Sequence, residues 1–284
     1  SDLMEDVKFV AGMRFGTNLA DKDLMFSFQN MRKKLDWGVT YYRSNVTNFF
    51  NTQFNNMLYT NLYQVNATYP INEVKSIRAT IGLRSDRGVL KSYDNIAGQP
   101  NPNALAYQDT VSKFVLSRIE YVHDNTINPT QNIWNGLRYK VYLDVNMPTL
   151  KTALNNGKPT MNFGFDGRYY HKIYRNFIWA GRVAADFSWG NQKLIYHLGG
   201  VDGWIGPKFN NGNQPAADQN YAFQSLAVNM RGYRQNIANG NNAFVINSEF
   251  RLPLFATIFD RPINNAFLRN FQFVQFLDVG TAWN

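Results

Sequence analysis

The sequence predicts an all-β fold, a transmembrane outer-membrane antiparallel β-barrel. Apolar and polar residues alternate with a period of two along several segments, the pattern of strands with one apolar and one polar face. Aromatic residues make up 15% of the 284 residues and charged residues only 17%, which suits a lipid-facing surface around a polar interior. No run of 18 or more apolar residues is present, so no transmembrane helix is predicted.

About eleven strands are predicted in chain order. In the strand predicted near residues 138–146, for example, Tyr139, Val141 and Leu143 alternate with charged or polar neighbours. Segments of about ten residues match a tilted strand crossing a bilayer and exceed the five or six residues usual in soluble sheets. The strands are predicted near residues 6–15, 22–31, 35–44, 53–65, 76–84, 110–122, 138–146, 161–169, 176–188, 243–252 and 270–282.

The predicted connections are of two kinds. Short links near residues 32–34 and 172–174 fall at one end of the strands, and the longest connections, 85–109 and 190–242, fall at the other. Short periplasmic turns and long extracellular loops give this asymmetry in outer-membrane barrels. A soluble β-sandwich or a lipocalin-like barrel is the alternative, because alternation alone does not say which face meets solvent. Charges of both signs within long strands favour the membrane barrel.

Strand phase predicts a cluster of three charges. Glu249 and Asp278 lie at lumen-facing positions of the last two predicted strands, so both carboxylates are expected to project into one lumen. An unpaired buried charge is unfavourable, and Arg231 in the preceding loop is the expected partner because its planar guanidinium can bond both carboxylates. Gly232 allows a tight turn, and Tyr233 can pack and hydrogen-bond beside it. The cluster is predicted to pin the long loop inside the lumen.

Composition and spacing argue against other function classes. The net charge is +9, but the lysines and arginines are scattered singly, so no nucleic-acid partner is expected. Cysteine is absent, which excludes disulfides and thiolate metal sites. His123, His171 and His197 are widely separated and form no metal-binding motif. Paired carboxylates can indicate glycoside hydrolysis, but here they are explained as counter-ions of Arg231. We therefore expect no enzymatic activity, no metal and no cofactor.

Several stretches resemble the C-terminal barrel of the Omp85 superfamily, also called bacterial surface antigen. Gly199 and Gly200 are similar to the double glycine that opens the family's long sixth extracellular loop, and Met230-Arg231-Gly232-Tyr233 is similar to the Val-Arg-Gly-Phe/Tyr motif at the tip of that loop. The other matching stretches are Ser248-Glu249-Phe250-Arg251-Leu252-Pro253 and Phe276-Leu277-Asp278-Val279-Gly280-Thr281-Ala282-Trp283. Met230 departs from the usual valine. The insert at 201–206 and the Asn-rich tract near 210–220 resemble a subgroup in which the barrel follows a TolB-like β-propeller.

The resemblance implies a sixteen-stranded barrel, with residues 1–284 forming part of one such domain and a loop at about 190–242 that enters the lumen. An N-terminal periplasmic region and the last strands would lie outside this sequence. The implied function is outer-membrane protein assembly or polypeptide translocation in a Gram-negative bacterium. The implied partners are outer-membrane lipid and lipopolysaccharide, client polypeptides or β-barrel proteins, and other outer-membrane or periplasmic subunits. The alternative is a non-catalytic scaffold or passive pore that anchors a periplasmic domain or partner complex.

Overall fold

The structure is a computed structural model that describes residues 6–15, 22–47, 56–90, 109–126, 135–149, 151, 157–174, 176–191, 193–200, 210, 212–213, 221–226, 230–259, 263–265, 267–268 and 271–284. These ranges contain fourteen β-strands and a five-residue helix. They are β1 (Val7–Phe15), β2 (Lys22–Asn30), β3 (Asp36–Thr47), β4 (Asn56–Asn72), β5 (Lys75–Leu90), β6 (Thr110–Asp124), β7 (Gly136–Pro148), β8 (Thr160–Tyr174), β9 (Phe177–Gly190), β10 (Lys193–Leu198), β11 (Tyr221–Leu226), β12 (Ala238–Gly240), β13 (Asn242–Pro253), α1 (Leu254–Ile258) and β14 (Gln272–Trp283). No helix in these ranges has the length and apolar character needed to cross a bilayer.

Eleven strands form one antiparallel sheet. Its order is β1 to β9 in chain order, followed by β13 and β14. Each of the segments predicted to be a strand overlaps one of these eleven. β1 and β14 are the two edges of the sheet, so the sheet is not closed. Closure into a barrel and a complete count of sixteen strands therefore stay predictions.

Two predicted connections have different boundaries in the structure. β5 continues to Leu90, so the connection predicted at 85–109 begins later, and residues 91–108 lie outside the described ranges. Residues 172–174 were predicted as a turn but belong to β8, whose register shifts between Lys172 and Tyr174 before Tyr174 pairs with Phe177. The aromatic residues at the ends of the two strands favour extended backbone, which shortens the turn.

The chain divides into two compact units, and each is described by itself. Unit 1 comprises Ser1–Pro70, Arg78–Ile119 and Val145–Pro159. Along one face of its strands, polar side chains are hydrogen-bonded to one another from β2 to β5. Ser27 Oγ lies 3.0 Å from Thr40 Oγ1, Asn66 Nδ2 donates to Thr40 Oγ1 at 3.4 Å, and Thr80 Oγ1 donates to Asn66 Oδ1 at 3.1 Å. The opposite face exposes apolar side chains, among them Phe26, Val39, Val65 and Ile81.

Unit 2 comprises Ile71–Ile77, Glu120–Asp144 and Thr160–Asn284. On one face of β9 and β13, Ala180, Ala184, Ala243 and Val245 are buried. We call this the loop-side face, because the long connection between β9 and β13 covers it. The opposite, outer face exposes large apolar side chains on β9, β13 and β14: Val183, Ile246, Phe273, Leu277 and Val279. A continuous exposed apolar face of this kind suits contact with lipid.

The long connection contains a second sheet, which the sequence did not predict. β10 lies between β11, to which it is parallel, and β12, to which it is antiparallel. A small apolar core joins this sheet to the loop-side face, and its buried members are Ala184, Leu194, Tyr196, Leu198, Met230, Ala243 and Val245. The long connection predicted at about 190–242 therefore contains short strands of its own, and its entry into a lumen stays a prediction. The insert at 201–206 and most of the Asn-rich tract lie outside the described residues.

Candidate functional site

The loop tip, β13 and β14 bring the three predicted charges together. Met230 forms an antiparallel bridge with Gly200, which places Arg231 directly above the loop-side face. β13 and β14 pair in a register that sets Asn247 opposite Asp278, with Glu249 two residues further along β13. Because strand side chains alternate between faces, the carboxylates of Glu249 and Asp278 project from the same face of neighbouring strands.

Arg231 binds Asp278 through three hydrogen bonds. Its Nε donates to Oδ2 at 2.9 Å, its Nη2 donates to Oδ1 at 2.7 Å, and its backbone N–H donates to Oδ2 at 2.8 Å. The Asp278 side chain is only 1% exposed, so the guanidinium is the group that compensates its buried charge. These hydrogen bonds, together with the charge of Glu249, raise the pKa of Arg231. Arg231 therefore stays a cation throughout the physiological pH range.

Glu249 connects Arg231 to a second arginine. Arg231 Nη1 donates to Glu249 Oε1 at 2.5 Å, while Arg251 Nε and Nη2 lie 2.7 and 2.6 Å from Glu249 Oε2. One carboxylate thus bridges two guanidiniums, one from the loop and one from β13. Both oxygens of Glu249 and both oxygens of Asp278 accept charge-assisted hydrogen bonds, which are the stronger kind.

Two further contacts position the guanidinium and the residue before it. The Arg231 guanidinium carbon lies 4.2 Å from the centroid of the Phe276 ring, a cation–π distance. Gly280 lies beside Met230, because a Cβ at position 280 would lie 2.8 Å from Met230 Sδ and 2.8 Å from a methyl group of Val245. The absence of a side chain at Gly280 therefore lets the loop approach β13 and β14 closely.

The predicted glycines lie at turns with positive φ. Gly199 and Gly200 have φ values of 105° and 79°, and Gly232 has a φ of 85°, a region that glycine enters without strain. The Gly200 N–H donates to the Tyr233 carbonyl at 3.1 Å, so the opening and the tip of the loop are hydrogen-bonded to each other. The Tyr233 side chain is half exposed, and the packing role predicted for it stays a prediction.

An asparagine cluster, not predicted from the sequence, holds the strand that follows the tip. Asn236 is buried, has a φ of 63°, and donates through Nδ2 to the carbonyls of Asn210 and Asn213 at 2.9 and 2.7 Å. Its Oδ1 lies 2.9 Å from His197 Nδ1 and accepts a hydrogen bond from Asn239 at 2.8 Å. Asparagine tolerates this left-handed backbone better than most residues, and the tolerance is the only sequence signal that could have indicated the cluster.

Three more charges lie on the loop-side face of β8 and β9. Arg182 donates from Nε and Nη2 to Asp166 at 3.1 and 2.7 Å, and Arg168 donates from Nε and Nη2 to the same carboxylate at 3.2 and 3.3 Å. All three lie at polar positions of the alternating pattern, but alternation alone gives no signal for their pairing. No group of three or more His, Asp or Glu residues in the described part of the chain could hold a metal ion.

Comparison with known proteins relates the chain to one solved fold. No protein-family model and no curated protein matches the sequence. Among solved structures, the chain is similar to the crystal structure of BamA from Haemophilus ducreyi lacking POTRA domains 1–3, with a TM-score of 0.58 and 15% sequence identity. The match covers 93% of this chain and 50% of the BamA chain, so this chain spans about half the length of the protein that it resembles. The similarity shows a BamA-like β fold.

Proposed function

We propose that this chain is part of an outer-membrane barrel that assembles membrane proteins or translocates polypeptides, with its long loop held in place by Arg231. The observation that carries the proposal is the engagement of Arg231 with Asp278 and Glu249 on two neighbouring strands. The BamA-like fold and the exposed apolar outer face support the outer-membrane setting.

The role of the two carboxylates in this proposal is positional. Asp278 accepts three hydrogen bonds from Arg231, and both oxygens of Glu249 are bonded to arginines, which supports a structural role for both carboxylates. Buried ion pairs often contribute little net stability, but they can select one conformation among several. The selected conformation is the one in which the loop lies on the loop-side face.

Strand pairing supplies the chemistry of the proposed activity. Backbone N–H and C=O groups in lipid must all be hydrogen-bonded, so a polypeptide that enters the membrane next to an open sheet edge gains partners by adding a strand. A fixed loop keeps β13 and β14 in one arrangement while such an edge pairs with a client strand. The partners that follow are membrane lipid and client polypeptides.

A charge-swap series in the intact protein tests the proposal. The variants are Arg231→Glu, Asp278→Arg and the double swap, and the readouts are outer-membrane protein levels in cells and heat-modifiable migration of the barrel. We expect both single swaps to lower outer-membrane protein levels, because each places like charges against each other. We expect outer-membrane protein levels to recover in part in the double swap, because the glutamate at 231 and the arginine at 278 can pair again. Recovery is incomplete because the new glutamate repels Glu249, although Glu249 keeps Arg251 as its partner.

Arg138→Glu is the matched control. Arg138 pairs with Asp124 at 3.5 Å, and both side chains are at least a third exposed, so reversing this charge is expected to leave protein levels unchanged. If the single swaps fold and outer-membrane protein levels stay normal, the assembly proposal is wrong. A scaffold or passive pore then explains the protein better.

A further inference from the structure

A cavity lies directly beneath the loop tip, between the loop and the strands β8, β9 and β13. Its volume is about 230 Å³. Its polar lining consists mainly of Arg168, Tyr170, Arg182, Arg231, Glu249 and Arg251. Arg231 belongs to the loop tip, and the other five lie in the halves of the strands nearer to the short β8–β9 turn, which is the predicted periplasmic end. A group that enters the barrel from that end would meet the cavity before it meets the loop.

The cavity has more cations than anions. The four arginines that line it pair with only three carboxylates, because Arg168 and Arg182 share Asp166 while Arg231 and Arg251 share Glu249 and Asp278. The next carboxylate along β9, Asp186, accepts a hydrogen bond from Tyr142 and does not line the cavity. Among the residues that line the cavity and their direct ion-pair partners, the cations therefore exceed the anions by one.

The geometry of the arginines leaves room for a further acceptor. Arg168 binds Asp166 at 3.2 and 3.3 Å, longer than the contact of 2.7 Å that Arg182 makes with the same carboxylate. Arg251 uses Nε and Nη2 on a single oxygen of Glu249, and its guanidinium carbon lies 5.7 Å from the centroid of the Tyr170 ring. Guanidinium groups offer five donors each, so both arginines can bind an additional oxyanion without releasing their present partners.

We propose that this cavity binds a carboxylate group of a polypeptide, held by Arg168 and Arg251 beneath the loop tip. The identity of the ligand as a polypeptide rests on the function proposed above, whereas the preference for a carboxylate rests on charge. A monoanion neutralises the single excess charge, whereas a phosphate dianion would leave one negative charge unpaired in a partly buried site, which is unfavourable. The planar, two-oxygen carboxylate also matches the guanidinium fork.

Ligand binding to the full-length protein in detergent tests the proposal without any assay of membrane assembly. The probes are N-acetyl-alanine and N-acetyl-alaninamide, followed by saturation-transfer NMR at constant ionic strength. Inorganic phosphate, which has no carbon-bound proton, is added as a competitor of N-acetyl-alanine at a pH where it is mainly the dianion. The first two have nearly the same size and differ in the carboxylate. We expect N-acetyl-alanine to bind at least about tenfold more tightly than its amide, the difference expected for a charge-assisted hydrogen-bonded pair. Equal binding of acid and amide, or tighter binding of phosphate, would overturn the proposal.

Two substitutions locate the site. Arg168→Gln leaves Asp166 paired with Arg182, and Arg251→Gln leaves Glu249 paired with Arg231. Neither substitution therefore leaves a carboxylate without a cationic partner. Each is expected to weaken N-acetyl-alanine binding about tenfold, while Arg138→Gln, which removes a cation outside the cavity, is expected to leave it unchanged.

Heat-modifiable migration reports folding for every variant, and the comparison of acid with amide in the unaltered protein does not depend on any variant. Wild-type affinity in both cavity variants refutes the assignment, whereas failure of the cellular charge swaps alone refutes only the assembly function.

Discussion

Replacing Arg231 with alanine should release the loop tip from the sheet. The substitution leaves the Asp278 carboxylate, which is 1% exposed, without its guanidinium partner. Breaking one partner of a buried pair costs about 3–5 kcal/mol. We expect the lower end, about 3 kcal/mol, because the backbone N–H of residue 231 still donates to Asp278 and Glu249 keeps Arg251. Since 1.4 kcal/mol is a factor of ten, the open loop becomes about a hundredfold more populated.

Hydrogen exchange of the folded protein in detergent measures this opening. The amides of Gly200 and Ile237 serve as reporters. They donate within the loop to the Tyr233 and Leu198 carbonyls at 3.1 and 2.9 Å, and we expect these hydrogen bonds to open when the loop leaves the sheet. Both should exchange about a hundredfold faster in Arg231→Ala. Arg138→Ala, which breaks a half-exposed pair, should change them by less than about fivefold. If Arg231→Ala also leaves exchange at these two amides within that range, the guanidinium does not hold the loop on the sheet.

Three further substitutions test the packing around the site by thermal unfolding and heat-modifiable migration. Gly280→Val should lower stability by about 1–3 kcal/mol, because the new side chain overlaps Met230. Gly164→Ala should destabilise this part of the sheet, because a Cβ at position 164 would overlap the Tyr142 ring. The additional change Tyr142→Ala should restore the stability only in part, because it removes the overlap together with the hydrogen bond that Tyr142 donates to Asp186. Leu198→Ala, in the core between loop and sheet, should destabilise the loop by about 2–5 kcal/mol and speed its hydrogen exchange.

Each of these has a control of the same chemical kind. For Gly280→Val the control is Gly12→Val, where the nearest atom to a new Cβ is the flexible end of Met25 at 3.8 Å. For Gly164→Ala it is Gly88→Ala, which meets nothing closer than 3.9 Å. For Leu198→Ala it is Ile246→Ala on the outer face. Controls that destabilise the protein as much as their counterparts would show that the close contacts are not the cause.

Strand phase is what made part of the site predictable. Alternation along a strand is fixed by backbone geometry, so Glu249 and Asp278 could be placed on one face without knowledge of their surroundings. Arg231 could be matched to them because a buried carboxylate needs a cation. Alternation also puts Arg251 on the same face as Glu249, two residues away. It cannot show that Arg251 shares Glu249 with Arg231, since both arginines compete for acceptors whose positions depend on the loop.

The structure inside the loop could not be predicted for a different reason. β10 alternates too briefly to be recognised, because nearly all of its side chains are buried on both faces. Its pairing with β11 joins residues distant in the sequence, and such contacts depend on the fold of the whole connection. The positive φ of Asn236 likewise follows from its partners Asn210 and Asn213, and no local pattern indicates which asparagines of an Asn-rich tract will meet.

The parallel pairing of β10 with β11 has a consequence for how far the connection between them can be shortened. Antiparallel neighbours can be joined by a two-residue turn, but parallel neighbours require the chain to travel back along the full length of the first strand, which takes a dozen residues or more. Residues 199–220 connect the two strands. Deletions that leave fewer than about a dozen residues there should therefore remove β11 from the small sheet. Insertions away from Asn210 and Asn213, which bind Asn236, should be tolerated, because the entropy of closing a loop rises only slowly with its length.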